Sequence, residues 1–250
     1  FTQYGRTEGS VDIVKAIQRS NDIFFYRLGQ AVGENIIAGT ARKLGFGKNL
    51  GIDIPGEAIG VVPDGDWKKK ALGEIWFPGD TLHMAIGQGF VTVTPLEISH
   101  MISAVAGGRE STPHLNLKNL PAHLTAERAG KQIDFKKQDL DLLKQGLSEV
   151  PKQGGTAWPF FSFPIPTAGK TGTAEFGDSK NRTHAWYTSY APVDDPKITV
   201  TVLVEAGGEG STNASPVAKE IYRWYFSSDK SNLIKDVYNT ATDSGRTLGE

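Results

Sequence analysis

Apolar residues in the first part of the chain recur at helical spacing and predict helices separated by short polar breaks. The first helix would begin at Val11 behind Ser10, because serine is a favourable N-cap residue. Its apolar positions are Val11, Val14 and Ile17. A polar break at Arg19-Ser20-Asn21-Asp22 follows. We therefore expect Ser20–Asp22 to form a tight loop between two buried helices.

Two further helices and a connector are predicted after this loop. The apolar positions of the second helix are Phe24, Phe25, Leu28 and Val32. A third, short helix would run from about Asn35 to Leu44 and stop at Gly45 and Gly47, since glycine readily ends a helix. Residues 45–82 are rich in glycine and proline, and we expect them to form an extended connector.

The middle of the chain adds two more predicted helices. One begins at Thr94-Pro95, because proline is tolerated at the first helical position, and ends at Gly107-Gly108. It follows Gly87-Gln88-Gly89, whose paired glycines are typical of a tight backbone bend. The apolar positions of the other helix are Leu140, Leu143, Leu147 and Val150.

The last third of the chain changes to strands. We predict strands at Ala168–Ala174, His184–Ala191 and Lys197–Glu205, with Asp194-Asp195-Pro196 as the hairpin turn between the last two. Ser215-Pro216 would cap a closing helix, Val217–Phe226, that covers one face of the sheet. This order predicts an α+β fold, with one domain over residues 1–226 and a polar tail over residues 227–250.

Composition narrows the function classes. The chain has 250 residues, 38% of them hydrophobic, which suits one globular domain. Its net charge of −1 offers no electrostatic case for nucleic acid. The chain contains no cysteine and its histidines lack metal-ligand spacing, so we expect no metal site and no cofactor. The longest apolar stretch, Ile198–Val204, is far shorter than the roughly 20 residues of a membrane helix.

The tetrad Lys170-Thr171-Gly172-Thr173 is the strongest candidate for chemistry. A cation, two hydroxyls and a glycine on an extended edge can hold a carboxylate and present a backbone N–H to an oxyanion. Lys170 also fits an ordinary edge-strand charge, a common device against aggregation. A phosphate-binding P-loop is excluded because Pro164 stands where that motif needs a glycine, and because a P-loop would lead into a helix.

Other candidates are weak by themselves. Ser20-Asn21-Asp22 has the polar composition of many helix caps and turns. Five acidic residues in the connector suggest the paired carboxylates of a glycosidase, but nothing pairs them, and a solvated loop explains them better. They are Glu57, Asp64, Asp66, Glu74 and Asp80.

Taken together, these segments resemble the transpeptidase domain of class B penicillin-binding proteins, most closely the elongation type, penicillin-binding protein 2. The resemblance covers nearly the whole length. It is carried by Val11–Tyr26, Gly51–Glu57, Trp76–Asp80, Ile86–Gly89 with Thr94-Pro95-Leu96, Gly169–Glu175, His184–Tyr187 and Ala214–Ala218. It implies an antiparallel sheet flanked by helices and no cofactor.

The resemblance also implies roles for the matching residues. Ser20 would work in the proton relay, and Asp22 would position that relay or contact the substrate. Lys170 would add positive potential to the cleft. Thr171 and Thr173 would bind a terminal carboxylate, and the Thr173 N–H would form half of an oxyanion hole. Gly172 would leave room for a substrate lying along the strand.

The nucleophile that this family requires is not evident. Its motif is Ser-x-x-Lys, and the only match in the sequence is Ser227-Ser228-Asp229-Lys230, in the polar tail. Because the family's motif precedes the serine loop, we interpret this match as coincidence. Ser20 has Lys15 and Arg19 nearby, but neither is at i+3. We expect the chain to begin downstream of the motif, to lack the domain's first helices and two strands, and to be inactive alone.

The implied parent activity is a peptidoglycan D,D-transpeptidase that cross-links D-Ala-D-Ala stem peptides and is trapped by β-lactams. Its implied setting is outside the bacterial cytoplasmic membrane, with an N-terminal anchor and a membrane glycosyltransferase of the elongation machinery as partner. The first alternative is a non-catalytic β-lactam-sensing or scaffold domain of the same fold. A second is a carboxypeptidase or β-lactamase, against which Gly87-Gln88-Gly89 with Thr94-Pro95 favours the transpeptidases.

Overall fold

Helices precede the main sheet along the chain, and one more helix follows it. The computed structural model describes residues 8–115 and 130–228. Its α-helices are α1 Ile13–Arg19, α2 Asp22–Val32, α3 Glu34–Lys43, α4 Gly65–Leu72, α5 Pro78–Ala85, α6 Pro95–Gly107, α7 Lys137–Glu149 and α8 Ser215–Phe226. Its strands are β1 Arg109–Glu110, β2 Lys131–Gln132, β3 Ala168–Glu175, β4 Thr183–Ala191 and β5 Ile198–Val204. The predicted α+β fold is confirmed.

The main sheet has the order β3-β4-β5, and both strand pairs are antiparallel. The three strands match the three predicted ones to within about two residues, the usual uncertainty of a strand end. In the register of β3 and β4, Lys170 lies opposite Thr188 and Thr171 lies opposite Tyr187. Within the described residues, β3 pairs only with β4 and therefore forms an edge of this sheet.

Aromatic side chains fill the core between the sheet and α8. The Tyr187 ring stacks on Phe160 with their centroids 5.3 Å apart, and Tyr222 of α8 contacts Phe160 edge-on at 6.0 Å. The buried Ser189 and Tyr222 hydroxyls share a hydrogen bond of 2.9 Å. Because aromatic residues bury large apolar areas, this cluster anchors the sheet through β4, the strand that pairs with the edge strand β3.

Close helix packing places the N-terminal elements against the rest of the domain. A Cβ on Gly146 of α7 would lie 2.6 Å from Ile17 Cδ1, so this glycine allows α1 to approach α7. A Cβ on Gly29 of α2 would lie 2.5 Å from Ala85 Cβ, so α2 approaches α5 in the same way. The loop between α1 and α2 is thereby held between two packed helix pairs.

The prediction of an extended connector over residues 45–82 is wrong in part, because α4 and the start of α5 lie within it. Asp64 caps α4 by accepting the Trp67 N–H at 2.8 Å. Lys68 of α4 is almost fully buried and donates to Asp80 Oδ2 of α5 at 2.7 Å. A buried lysine is tolerated only when paired, and this pair joins the two helices.

The solvated-loop interpretation is wrong for Glu57, Asp64 and Asp80, whose carboxylates accept hydrogen bonds, whereas Asp66 and Glu74 are exposed. Glu57 accepts the Leu50 N–H at 2.6 Å and the Gly51 N–H at 2.9 Å. The buried carboxylate of Glu97, in α6, accepts the N–H groups of Gly47 at 2.9 Å and Gly60 at 3.1 Å. These bonds supply the partners that buried donors require and tie the irregular chain to α6.

Two predicted helix starts also need correction. Helix α1 begins at Ile13, two residues later than expected, because Asp12 rather than Ser10 caps it by accepting the Lys15 N–H at 2.8 Å. Ser215 is the first residue of α8 rather than its cap, and a single π-helical turn, Gly210–Ala214, leads into it. Most of the predicted tail, residues 229–250, lies outside the described residues.

Candidate active site

The Ser20 loop is held in an unusual backbone conformation. Ser20 ends α1 with φ 52° and ψ 54°, in the left-handed region that few residues other than glycine adopt. Its N–H donates to Ile17 O at 3.2 Å. The next residue, Asn21, caps α2 by accepting the Phe24 N–H at 2.9 Å. Because both helix ends constrain the loop, the Ser20 hydroxyl is placed by the fold, and such retained strain is common at functional sites.

Lys170 of β3 reaches this loop. Its Nζ donates to Ser20 Oγ at 2.9 Å and to the Thr171 carbonyl at 2.9 Å. The two segments that the sequence singled out separately therefore meet in one site. A hydroxyl can accept from an ammonium group and donate its own proton elsewhere, which is the chemistry that a proton relay needs.

The electrostatics of the site depend on Lys170 and Asp22. Burial lowers the pKa of the Lys170 ammonium to about 8, although the negative charge of Asp22 works against this shift. Burial likewise raises the pKa of the Asp22 carboxyl, and the Lys170 charge opposes it. Burial, with added repulsion from Asp22 and Glu175, raises the pKa of the nearby Tyr26 phenol. A lysine with a pKa near 8 can exchange its proton close to neutral pH.

The hydroxyls of the tetrad lie on the other side of the strand from Lys170. Side chains alternate along a strand, so Thr171 and Thr173 share one face of β3. Thr171 Oγ1 lies 2.7 Å from Thr156 Oγ1, whereas Thr173 is exposed. Because β3 is an edge, a ligand lying along it can reach both faces. The strand thus offers a cation and two hydroxyls to one extended ligand.

Gly172 is confined by the protein itself. A Cβ at this position would lie 3.2 Å from Trp186 Cβ, on the neighbouring strand. A Cβ on Gly210 would lie 2.5 Å from the Gly172 carbonyl oxygen and 2.1 Å from the Trp186 carbonyl oxygen. The space at Gly172 is therefore already limited by intramolecular contacts, a reason for glycine here that the sequence analysis did not anticipate.

The glycine pair around Gln88 forms the predicted bend, since Gly87 and Gly89 have φ values of 74° and 73°. This bend brings Gln88 Nε2 to 3.3 Å from the Thr173 carbonyl oxygen. The bend therefore lies beside the tetrad and contacts its last residue.

The remaining sequence candidates take other positions. Ser227 is the residue directly after α8, and it lines a surface cavity of 410 Å³ with Phe163 and Tyr222. Lys230 is outside the described residues. The interpretation of that Ser-x-x-Lys match as coincidence stays a prediction. In residues 8–115 and 130–228, no cluster of three acidic or histidine side chains suits a metal ion. The same part of the chain contains no helix that combines the length and apolarity of a bilayer-spanning segment.

Sequence reasoning missed two residues that border the tetrad, Thr156 and Gly210. Thr156 lies in an irregular segment and Gly210 begins the π-helical turn, and no periodic pattern there indicates a contact with β3. The only available signals were glycine-rich runs, Gly154-Gly155 before Thr156 and Gly207-Gly208 before Gly210. Such runs indicate close backbone approach but not the element that is approached.

The family model for the penicillin binding protein transpeptidase domain matches residues 1–223. The chain therefore belongs to the penicillin-binding protein transpeptidase domain family. The resemblance to class B, penicillin-binding-protein-2-type members is confirmed by the relatives that it matches.

Three relatives illustrate this similarity. The chain is 31% identical over 275 aligned residues to the peptidoglycan D,D-transpeptidase MrdA of Haemophilus influenzae, covering 100% of this chain and 41% of the relative. Penicillin-binding protein 2 of Helicobacter pylori is 36% identical with a TM-score of 0.76, over 86% of this chain and 40% of that one. Penicillin-binding protein 2 of Pseudomonas aeruginosa, solved with WCK 5153, is 31% identical with a TM-score of 0.80. The match covers 90% of this chain and 49% of that one. The chain thus spans less than half the length of these relatives.

Proposed function

We propose that this chain is part of a peptidoglycan D,D-transpeptidase of the elongation type, which cross-links D-Ala-D-Ala stem peptides and is acylated by β-lactams. The observation that carries the proposal is the 2.9 Å hydrogen bond from Lys170 Nζ to Ser20 Oγ. It joins two segments that are far apart in the sequence into one polar site beside an edge strand. The class of the relatives supports the same activity.

The reaction would proceed through a serine acyl-enzyme. A serine Oγ attacks the carbonyl carbon of the penultimate D-alanine and gives up its proton, and the C–N bond to the terminal D-alanine breaks. The leaving nitrogen takes a proton and departs as free D-alanine. An amine of a neighbouring strand then attacks the ester, which forms the new amide and returns the serine. A β-lactam would acylate the same serine as its ring opens, and its nitrogen would take the proton but stay attached to the acyl group.

Ser20 and Lys170 would protonate the leaving nitrogen. Ser20 Oγ accepts from Lys170 Nζ, and the Ser20 hydroxyl would donate its own proton toward that nitrogen. Lys170 can replace the lost proton, since its pKa is lowered to about 8 by burial. The negative charge of the Asp22 carboxylate would stabilise the protonated form of Lys170. General acid catalysis of this kind contributes about 10²- to 10⁴-fold in rate.

The edge of β3 would bind the extended peptide. Thr171 and Thr173 hydroxyls would donate to the terminal carboxylate, and the Thr173 N–H would donate to the developing oxyanion. One such donor stabilises the transition state by about 3 kcal/mol. Gly172 would keep the edge free of a side chain. The nucleophilic serine and its lysine would come from outside this chain, so that the chain alone is inactive.

We infer that the full-length protein works outside the cytoplasmic membrane, anchored there, beside a membrane glycosyltransferase. Support comes from related structures: penicillin-binding protein 2 of Helicobacter pylori has been solved in a complex with MreC. Another relative, 32% identical with a TM-score of 0.79, belongs to a peptidoglycan synthase complex that coordinates polymerization and crosslinking. The complex with MreC and the place in a synthase complex are properties of those two relatives.

A covalent-labelling experiment tests the proposal. The natural full-length protein would be exposed to a labelled penicillin and analysed by intact mass and peptide mapping. We expect one adduct on a serine that precedes residue 1. A folded protein without an adduct would support the non-catalytic sensor or scaffold instead. An adduct on Ser20 or Ser227 would refute the proposed origin of the nucleophile, and rapid release of hydrolysed penicillin would favour a β-lactamase.

A further inference from the structure

The hydroxyl pair Thr156–Thr171 connects a loop outside the sheet to the candidate carboxylate site. The two Oγ1 atoms are 2.7 Å apart and partly buried. Thr156 lies in the irregular segment between α7 and the single 3-10 turn Trp158–Phe160. The proposed mechanism gives Thr156 no role, because the hydroxyl of this pair that binds the ligand carboxylate is that of Thr171.

The segment that carries Thr156 is held from two sides. Arg19, at the end of α1, donates from Nη1 to the Gly154 carbonyl at 2.7 Å. At the end of α7, Val150 accepts the Ala157 N–H at 3.1 Å. A Cβ on Gly155 would lie 2.1 Å from the Val150 carbonyl oxygen, so the chain packs tightly against the helix end. The Thr156 hydroxyl is thereby presented to β3 from a fixed support.

Hydrogen-bond chemistry decides which hydroxyl should donate. A hydroxyl has one proton and two acceptor lone pairs, whereas a carboxylate is only an acceptor. If Thr171 binds a carboxylate, its single proton must point to the ligand. It then has only lone pairs left for Thr156, so Thr156 must be the donor in their shared bond.

We propose that Thr156 is a positioning residue, which donates to Thr171 Oγ1 and thereby directs the Thr171 proton toward the carboxylate of the ligand. The inference rests on the proposed function, because it assigns Thr171 to carboxylate binding. The bond from Thr156 also polarises the Thr171 hydroxyl, since hydrogen bonds in a chain strengthen one another. Without it, the Thr171 proton is free to turn toward other acceptors.

The test compares two probes that differ in one charge, a penicillin with its free carboxylate and the methyl ester of the same penicillin. Second-order acylation rates of the full-length protein would be measured with both, for the wild type and for Thr156→Val, Thr156→Ser and Thr156→Ala. We expect Thr156→Val and Thr156→Ala to lower the rate with the free acid about tenfold and to leave the ester rate unchanged. The reason is that Thr171, without its donor, loses most of its charge-assisted bond to the carboxylate, which the ester cannot form. Thr156→Ser keeps the donor and should retain the wild-type preference.

A matched control is available in the same sheet. Thr188 and Thr201 form a second hydroxyl pair, with Oγ1 atoms 2.8 Å apart, between β4 and β5. Thr201→Val removes a similar bond on β5, which does not pair with β3, and should change neither rate. Urea unfolding of each variant checks that it is folded. If Thr156→Val does not fold, the comparison is made with Thr156→Ala instead.

Two results would overturn the inference while leaving the proposed function intact. The first is an equal loss of rate with the acid and the ester, which indicates a structural role for Thr156. The second is an unchanged preference in every Thr156 variant. A wild-type protein that neither probe acylates would instead refute the proposed function, and with it the role given to Thr156.

Discussion

Lys170 and Ser20 are 150 positions apart in the chain, and Lys170 Nζ donates to Ser20 Oγ at 2.9 Å. One residue lies on an edge strand and the other at the left-handed end of α1. Neither element could form this contact alone, because the sheet places the ammonium group and the helix packing places the hydroxyl. The contact therefore forms only when the sheet and the packed helices are both in place.

Removing the Ser20 hydroxyl should slow acylation. We expect Ser20→Ala to lower the acylation rate of the full-length protein by at least about 100-fold, since a general acid contributes that much. Stopped-flow labelling with a fluorescent penicillin measures the rate. Ser148→Ala is the control, because the Ser148 hydroxyl only donates to Gln145 O within α7. A normal rate in Ser20→Ala would remove Ser20 from the mechanism.

Neutralising Asp22 should make Lys170 lose its proton more easily. Asp22 raises the pKa of Lys170, which burial holds at about 8, so Asp22→Asn should lower this pKa further. Binding of an anionic penicillin, which weakens as pH rises through the Lys170 pKa, should then weaken at lower pH than in the wild type. Carbon NMR of labelled lysine side chains follows the titration directly.

The control for this experiment is an exposed ion pair. Lys197 Nζ lies 2.6 Å from Asp195 Oδ2 at the β4–β5 turn, and Asp195→Asn should leave the Lys170 titration unchanged. If the Lys170 pKa stayed the same or rose in Asp22→Asn, the electrostatic coupling of the two residues would be disproved.

Filling the space at Gly210 should disturb the edge strand. An added Cβ would lie 2.1 Å from the Trp186 carbonyl oxygen, so Gly210→Ala should destabilise the protein by about 1–3 kcal/mol through overpacking. It should also slow acylation, because the Gly172 backbone must move. Urea unfolding and penicillin labelling measure the two effects. Gly79→Ala is the control, since a Cβ there meets nothing within 4 Å. Equal behaviour of the two variants would contradict the prediction.

Glu97 should be important for stability but not for chemistry. Its carboxylate accepts the Gly47 and Gly60 N–H groups at 2.9 and 3.1 Å, and Glu97→Ala leaves these donors unpaired. We expect a loss of at least about 2 kcal/mol in the free energy of unfolding. The acylation rate of the folded fraction should be normal. Glu220→Gln, which breaks an exposed pair with Arg223, should change stability by less than about 0.5 kcal/mol.

Local patterns in the sequence were enough to predict the three strands of the main sheet and most helices, but not the two-residue strands β1 and β2. The β4–β5 hairpin carries alternation in β5 and a clear turn signal, and this hairpin and the strand around Lys170 were predicted correctly. Helices α4 and α5 were missed because each has only eight residues, and because glycine and proline dominate their surroundings. Their stability comes from packing and from Lys68, which no periodic pattern reveals.

The candidate site was only partly predictable for a related reason. Ser20 and the tetrad could be recognised as motifs, but their 2.9 Å contact depends on how α1 packs against the rest of the domain. Thr156 approaches β3 from an irregular segment and Gly210 from a single π-helical turn, so their contacts with β3 are visible only in three dimensions. Their roles in catalysis, like those of Ser20, Asp22 and the tetrad, stay predictions.

The two consecutive residues at the end of α1 act on different parts of the site. Ser20 accepts from Lys170 on one face of β3, and Arg19 holds the Gly154 carbonyl in the segment that carries Thr156. The end of this seven-residue helix thus contacts both Lys170 and the segment that carries Thr156. If α1 shifts along its axis, Ser20 and the segment that carries Thr156 move together. A displacement of this one helix would therefore change the contacts of Lys170 and of Thr171 at the same time.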